Sequence, residues 1–184
     1  MSLQQVNQAA RHLQEAGVVM HATEGVWGLA CDPFDEGCVA RVLRLKRRPV
    51  EKGLIVIAAA ADDFAPELDG LDAKQCDEIL DTWPGAVTWV VPNRRFPSWI
   101  TGKHATVAIR VPGHPQARSL CRAFGGPLVS TSATPAGEPS ALSADQADEY
   151  FRAGVDYQLP GEVQNPGQPS QIRTLAGSVL RGSG

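Results

Sequence analysis

The apolar positions of the chain follow two periods that alternate along its length. Leu3, Val6, Ala9, Ala10 and Leu13 recur every three or four residues, and Gly17 follows them, which predicts an amphipathic helix closed by glycine. Residues 18–22 form an apolar run that predicts a first strand. Thr23-Glu24-Gly25 breaks it, and residues 26–31 resume an extended course as far as Asp32-Pro33. Helical spacing returns at Val39, Val42, Leu43 and Leu45. Pro49 is expected to end that helix, because it pushes Arg48 out of the α region. Residues 54–57, bounded by Gly53, read as a buried strand.

Further on, Asp72 is placed to cap a short helix carrying Cys76, Ile79 and Leu80. Trp83-Pro84-Gly85 reads as a turn before a strand over 86–91. Residues 106–111 alternate, which puts Thr106, Ala108 and Arg110 on one face of a strand. A helix through Ala117, Leu120, Cys121 and Phe124 ends at Gly125-Gly126, and a short strand then opens into a hydroxyl-rich loop. Ser143-Ala144-Asp145-Gln146 has the form of a capping box for a helix ending near Phe151. Residues 157–160 are extended, and 170–174 with 178–181 flank Ala176-Gly177 as a hairpin. Strands and helices interleave irregularly, without repeats or a linker. The expected fold class is therefore α/β with a mixed sheet, and residues 1–184 are read as a single domain.

Composition narrows the function classes. With 184 residues, 43% of them apolar, the chain can bury an ample core, and its net charge of −3 argues against a general nucleic-acid binder. Any basic surface must be local. No stretch is apolar and long enough to span a membrane, and the first residues lack a secretory pattern. Cys31, Cys38, Cys76 and Cys121 are scattered without a Cys-x-x-Cys pair, which points away from zinc knuckles and disulfide frameworks and towards a cytoplasmic protein.

Four stretches carry candidate chemistry. Lys46, Arg47, Arg48 and Lys52 place four cations within seven residues, where a helix ends and a core strand is about to begin. One cation there is explained by the helix dipole. Four in a chain of negative net charge speak equally for an anion site, with Lys46, Arg48 and Lys52 fanning outward. Thr23 and Glu24 lie between two core segments, where a polar pair is costly unless hydrogen-bonded, although an ordinary turn with Glu24 in solvent also accounts for them. Arg110, on an apolar strand, wants an anionic partner: Glu24 or a ligand carboxylate. Ser130, Ser132 and Thr134 share one side if extended and can cradle a phosphate or carboxylate, with a solvated turn as the simpler account. Arg94, Arg95, Phe96, Trp99 and Lys103 interleave cations with aromatics as a nucleic-acid platform does, but a partly packed loop is the commoner explanation and is adopted. Neither a phosphate-binding Gly-x-x-x-x-Gly-Lys-Ser/Thr loop nor a Gly-x-Gly-x-x-Gly is present.

Taken in order, these stretches resemble the YrdC/TsaC family. The likeness rests on Thr23-Glu24-x-Val26-Trp27-Gly28-Leu29-x-Cys31-Asp32-Pro33, on Lys46-x-Arg48-Pro49 with Lys52-Gly53-Leu54, on residues 106–111, and on Ser130-Thr131-Ser132-Ala133. The resemblance runs on to Leu180-Arg181 and is to the short bacterial form. It implies a YrdC-like fold, a twisted mixed sheet flanked by helices around a concave, positively charged cavity. It implies a nucleotidyltransferase that makes threonylcarbamoyl-AMP from L-threonine, bicarbonate and ATP, releasing pyrophosphate. The product would serve threonylcarbamoyl modification of adenosine 37 in ANN-reading tRNAs, through a partner transferase complex, with direct tRNA contact left open.

Carried over by residue, Lys46 and Arg48 are the expected catalytic pair and contact ATP together with Lys52, Thr106, Thr134 and Arg181. Thr23, Arg110, Ser132 and Ser170 match positions associated with threonine. The family's Ser-x-Asn is Ser132-Ala133-Thr134 here, its frequent Tyr-Pro is His21-Ala22, and a histidine of long-form members corresponds to Ile57. No carboxylate cluster resembles a metal cage, so Mg²⁺ is expected to arrive on ATP, with no metal site and no tightly bound cofactor. No protein nucleophile stands out. The competing class is a double-stranded RNA, tRNA or ribosome-maturation module that uses the same cavity as a basic groove.

Overall fold

The alternation of side chains along each strand decides what the sheet offers on its two faces. In the computed structural model, residues 2–181 are described, Arg181 by its backbone alone. The strands are β1 (Val19–Ala22), β2 (Trp27–Cys31), β3 (Ile55–Ile57), β4 (Val87–Pro92), β5 (Thr106–Arg110), β6 (Leu128–Ser132), β7 (Tyr157–Gln158), β8 (Gln171–Thr174) and β9 (Val179–Arg181). They form one mixed sheet in the order β7-β1-β2-β6-β3-β5-β4-β8-β9. Its parallel pairs are β1·β7, β3·β5 and β4·β8; the other neighbours are antiparallel. The expected α/β fold with a mixed sheet is what the chain adopts.

The helices are α1 (Leu3–Gln14), α2 (Glu36–Lys46), α3 (Ala65–Leu68), α4 (Ala73–Leu80), α5 (Ser98–Thr101), α6 (Pro115–Phe124) and α7 (Ala144–Phe151). On one face of the sheet, Leu29, Val56, Val107, Ile109 and Val129 join Val39 and Val42 of α2, Ile79 of α4 and Phe151 of α7 in the larger core. On the other face, Val19, Ala30, Ile57 and Leu128 pack against Val6, Ala9, Ala10 and Leu13 of α1 and Leu120 of α6. These two helices cover only part of that face. Along the same strands, Gly28, Ile55, Ala108 and Ser132 lie beyond them and line a cavity.

Several local expectations are refined. Leu3 is the outermost turn of α1 and is 75% exposed, while Val6 through Leu13 carry the buried stripe. Helix α1 begins with a capping box between Ser2 and Gln5. Helix α2 ends before Pro49 acts: Arg47 takes the left-handed conformation (φ 51°), and its N–H and that of Arg48 close on carbonyls of the last turn. At α7 only half of the expected capping box forms. Ser143 Oγ accepts from Gln146 N, but Gln146 Oε1 takes the N–H of Leu142. The Thr23–Gly25 break is a hairpin turn: β1 and β2 pair antiparallel, and Thr23 N donates to Val26 O at 3.1 Å.

The stretch with interleaved aromatics and cations is a packed loop. Phe96 and Ile100 are buried, and Arg95 is held by the buried Glu67 at 3.2 Å while lying over the Phe96 ring. Among the described residues no helix is long and apolar enough to cross a membrane.

Candidate active site

A cavity of about 360 Å³ opens over the part of the sheet that α1 and α6 leave bare, within the size range of small-molecule sites. Its floor is apolar and small: Ile55 and Ala108 face each other across β3 and β5, Val90 lies opposite Ala108 on β4, and Ile172 and Leu180 extend the wall along the C-terminal hairpin. Polar groups stand at the ends of the strands. They come from segments far apart in sequence: the 23–26 turn, the loop after α2, β5, β6 and the segment before β8.

Most of the residues singled out in the sequence meet here. Thr23, Arg48, Lys52, Thr106, Arg110, Ser132 and Ser170 all line the cavity. Thr23 is buried and gives its hydroxyl proton to Val26 O at 2.7 Å, so it braces the turn and turns its remaining lone pairs inward. Arg48 is half-buried, and both its Nε and its Nη2 donate to Gly53 O, which fixes the loop that leads into β3. Burial lowers its affinity for the proton, yet a guanidinium stays charged. Lys52 is exposed at the rim. Ser170 Oγ lies 3.0 Å from the buried Thr88 hydroxyl, an anchor that sequence reading did not find.

Arg110 answers the question of its partner in part. It lies 6% exposed, with Nη2 3.2 Å from Glu24 Oε2, while Glu24 Oε1 accepts from Gly113 N at 2.6 Å. Burial lowers its proton affinity and Glu24 acts in the opposite sense. Its Nε has no hydrogen-bond partner among the described residues. The structural pairing is therefore present, and a side of the guanidinium is still available in a residue that borders the cavity.

Lys46 differs from expectation. It does not fan out from the helix end with Arg48 and Lys52, and it does not border the cavity; it is 4% exposed. Its ammonium donates to the carbonyl oxygens of Ser132 and Thr134 and lies 3.2 Å from Ser132 Oγ. Burial, and secondarily the nearby Arg48, lower it to about 8. The three surrounding oxygens favour the charged form, so the ammonium persists at neutral pH. The reason for the placement is geometric: the last turn of α2 packs against the end of β6, and Lys46 O also accepts from Ala136 N.

Thr134 likewise lies outside the lining. Its Oγ1 is buried and has no hydrogen-bond partner among the described residues, while its carbonyl takes the lysine. The side chain of Arg181 lies outside the described residues. Ile57 is packed under α6, and Ile55 is the β3 residue that faces the cavity. Ser130, read in the sequence as part of a cradle with Ser132 and Thr134, does line the cavity, whereas the apolar floor, Thr101 and His104 were missed as site residues. For the floor no signal existed, since Val90, Ala108 and Ile172 have the spacing of core residues.

Electrostatically, the lining carries the cations Arg48, Lys52 and Arg110, and among its described residues no Asp or Glu. No group of three His, Cys, Asp or Glu that could hold a metal ion occurs among the described residues. The cavity is thus arranged to take an anionic ligand at its polar ends and an apolar or planar group on its floor.

Comparison with known proteins agrees with this geometry. The family model for Sua5/YciO/YrdC, described as "Telomere recombination", matches residues 11–183. A threonylcarbamoyl-AMP synthase from Cellvibrio japonicus is 49% identical over 180 residues, covering 97% of this chain and 95% of the relative. One from Hahella chejuensis is 46% identical over 183 residues, covering 98% of this chain and all of the relative. Among solved structures, P. abyssi Sua5 complexed with L-threonine superposes with a TM-score of 0.93 at 29% identity, over the whole of this chain and 55% of that one. The chain thus spans about half the length of that protein. E. coli YciO has the same fold, with a TM-score of 0.85 at 21% identity over 99% of this chain and 90% of that one. From residue 11 to residue 183, this chain is a member of the Sua5/YciO/YrdC family.

Proposed function

We propose that the protein is a threonylcarbamoyl-AMP synthase, which joins L-threonine, bicarbonate and ATP and releases pyrophosphate. The observation that carries this reading is the convergence of Arg48, Lys52, Thr106, Arg110, Thr23 and Ser132 on one cavity, in a chain nearly half identical to synthases along almost its whole length. The L-threonine complex of P. abyssi Sua5 supports the amino acid as ligand. Residues 1–184 act as one unit in this reading.

The chemistry needs a carbamate, formed when the threonine amine bonds to the carbon of bicarbonate and water leaves. A carbamate oxygen then bonds to the α-phosphorus of ATP while the bond to the β-phosphate breaks and pyrophosphate departs. No protein nucleophile is required, and catalysis is positioning and charge neutralisation. Arg48 and Lys52 stand where the triphosphate would lie, with Thr106 and Ser132 as hydroxyl partners. Arg110 takes the amino-acid carboxylate with the side that Glu24 leaves available, and Thr23 and Ser170 close that end. Lys46 contributes through Ser132 and the backbone it holds, and Thr134 through its carbonyl. Among its described residues the lining carries no acidic group, so Mg²⁺ would be held by the ATP phosphates, where it would offset their charge. Arg181 is assigned to ATP by the family likeness. The product is consumed by a transferase complex acting on tRNA, at adenosine 37 of ANN-reading tRNAs.

The RNA-module reading has no comparable observation behind it, since Arg95 is engaged by Glu67 and Asp63 O. Mass spectrometry of the products from ATP, bicarbonate and L-threonine, with each substrate omitted in turn, tests the proposal. Threonylcarbamoyl-AMP that appears only when all three are present is the expected result. Salt-sensitive RNA binding without threonine-dependent ATP turnover would overturn it.

A further inference from the structure

The wall of the cavity contains one polar pair that none of the roles above uses. His21 of β1 is fully buried, and its Nε2 lies 3.2 Å from Ser130 Oγ on β6. Its Nδ1 lies 3.2 Å from Ala22 O. A carbonyl oxygen can only accept, so Nδ1 carries the ring proton and Nε2 is a bare acceptor. The Ser130 hydroxyl proton is therefore directed to Nε2. What Ser130 Oγ presents elsewhere is lone pairs alone.

Those lone pairs border the cavity, because Ser130 is part of its lining. Gly28, between the two strands, keeps the place open: a Cβ there would lie 3.2 Å from His21 Nε2 and 3.4 Å from Ser130 Oγ. The ring is neutral, lowered to about 4 by burial, by His114 and, further down, by the Arg110 charge. The charged groups bordering this wall are Arg48, Lys52 and Arg110, with Glu24 already engaged by Arg110 and Gly113, and His114 bonded to Glu162 O. A neutral acceptor among cations suits an uncharged N–H donor better than an ammonium ion. An amine that must attack carbon has to be uncharged.

We propose that His21 is a positioning residue that locks Ser130 Oγ as an acceptor for the α-amino N–H of the amino-acid substrate, anchored by its carboxylate on Arg110. The assignment rests on the reading of this cavity as a threonine site. It is tested by calorimetric titration of L-threonine and of 3-hydroxybutyrate, which keeps the carboxylate and hydroxyl and lacks the amine. The wild-type protein should bind threonine more tightly than 3-hydroxybutyrate. Ser130→Ala should weaken threonine about three- to tenfold, the size of one hydrogen bond, and leave 3-hydroxybutyrate unchanged. His21→Phe should reproduce that loss, and His21→Gln, whose Oε1 can stand in for Nε2, should restore most of the discrimination. Thermal melts identify any variant that fails to fold, and Ser130→Ala with His21→Gln carry the test if His21→Phe does. Equal weakening of both ligands by Ser130→Ala, or of neither, overturns the assignment while leaving the threonine site standing. A wild-type protein that binds neither ligand overturns the site reading as well.

Discussion

At the scale of single residues, the informative positions are those where burial and charge conflict. Lys46 is a buried ammonium that ties the end of β6 to the end of α2. Lys46→Met keeps the volume but leaves Thr134 O without the lysine and Ser132 O with Thr134 N as its remaining donor, which should cost about 1–2 kcal/mol in urea unfolding and lower turnover at least tenfold as the 132–136 loop shifts. A variant with wild-type stability would show that the loop holds without its lysine. His21 gives a pH dependence of known sign. Its folded value, about 4, lies below the ordinary 6.5, so the unfolded chain takes up a proton that the folded ring refuses. Its contribution is complete above pH 6.5 and is lost as pH falls towards 4, amounting to about 3 kcal/mol over that window. Unfolding midpoints between pH 7 and pH 4.5 should fall more steeply for the wild type than for His21→Gln; parallel curves would mean the ring protonates in place. Sequence alone could not reveal either residue's state. The cation cluster was legible in its spacing, but which cation turns inward depends on a long-range contact between Lys46 and Ser132.

Among elements, the turn joining β1 to β2 and the segment leading into β8 behave as one unit. Gln164 N and Asn165 N donate to Glu24 O, and Gly167 N donates to Gly25 O. A Cβ on Gly25 would come within 1.8 Å of Gln168 O. Gly25→Ala therefore has to push this strap away, at roughly 1–3 kcal/mol. It should weaken threonine binding more than ATP binding and expose residues 160–170 to limited proteolysis. A Gly25→Ala variant cleaved no faster than the parent would mean the strap is held elsewhere. Helices α1, α2, α4, α6 and α7 were readable from periodicity and caps because their determinants are local, whereas the one-turn helices α3 and α5 carry no periodic signal and were not. The strap was not, since 160–170 shows no helical or strand periodicity and its meaning comes from a partner about 140 positions earlier.

For the whole molecule, ligand binding and folding are linked by mass action. ATP with Mg²⁺ and L-threonine, each at about a hundredfold its dissociation constant, should each stabilise the fold by ~2.7 kcal/mol. For a chain of this size the two together correspond to a rise in melting temperature of about 10 °C or more. Differential scanning fluorimetry that shows no rise with either ligand would count against the cavity as their site. The mixed sheet was foreseeable from irregular alternation of strands and helices, and its order was not. β3 lies between β5 and β6, both later in the chain, so the row Ala108–Ile55 and the neighbouring Ser130 are brought together by pairings that leave no local trace.

The division of one sheet face between helices and cavity has a practical meaning for redesign. Ile57 and Leu128 hold α1 and α6, whereas Ile55 and Ser132, further along the same two strands, border the ligand space. The boundary runs across the strands, and Ile55 sits on it, bordering the cavity while packing against the core beneath the helices. Replacing Ala108 would reshape the floor without opening a hole beneath the helices, whereas Ile55 also supports the core under them. A library confined to Ala108 and its cross-strand neighbour Val90 could therefore explore amino acids bulkier than threonine while drawing little on the stability of the scaffold.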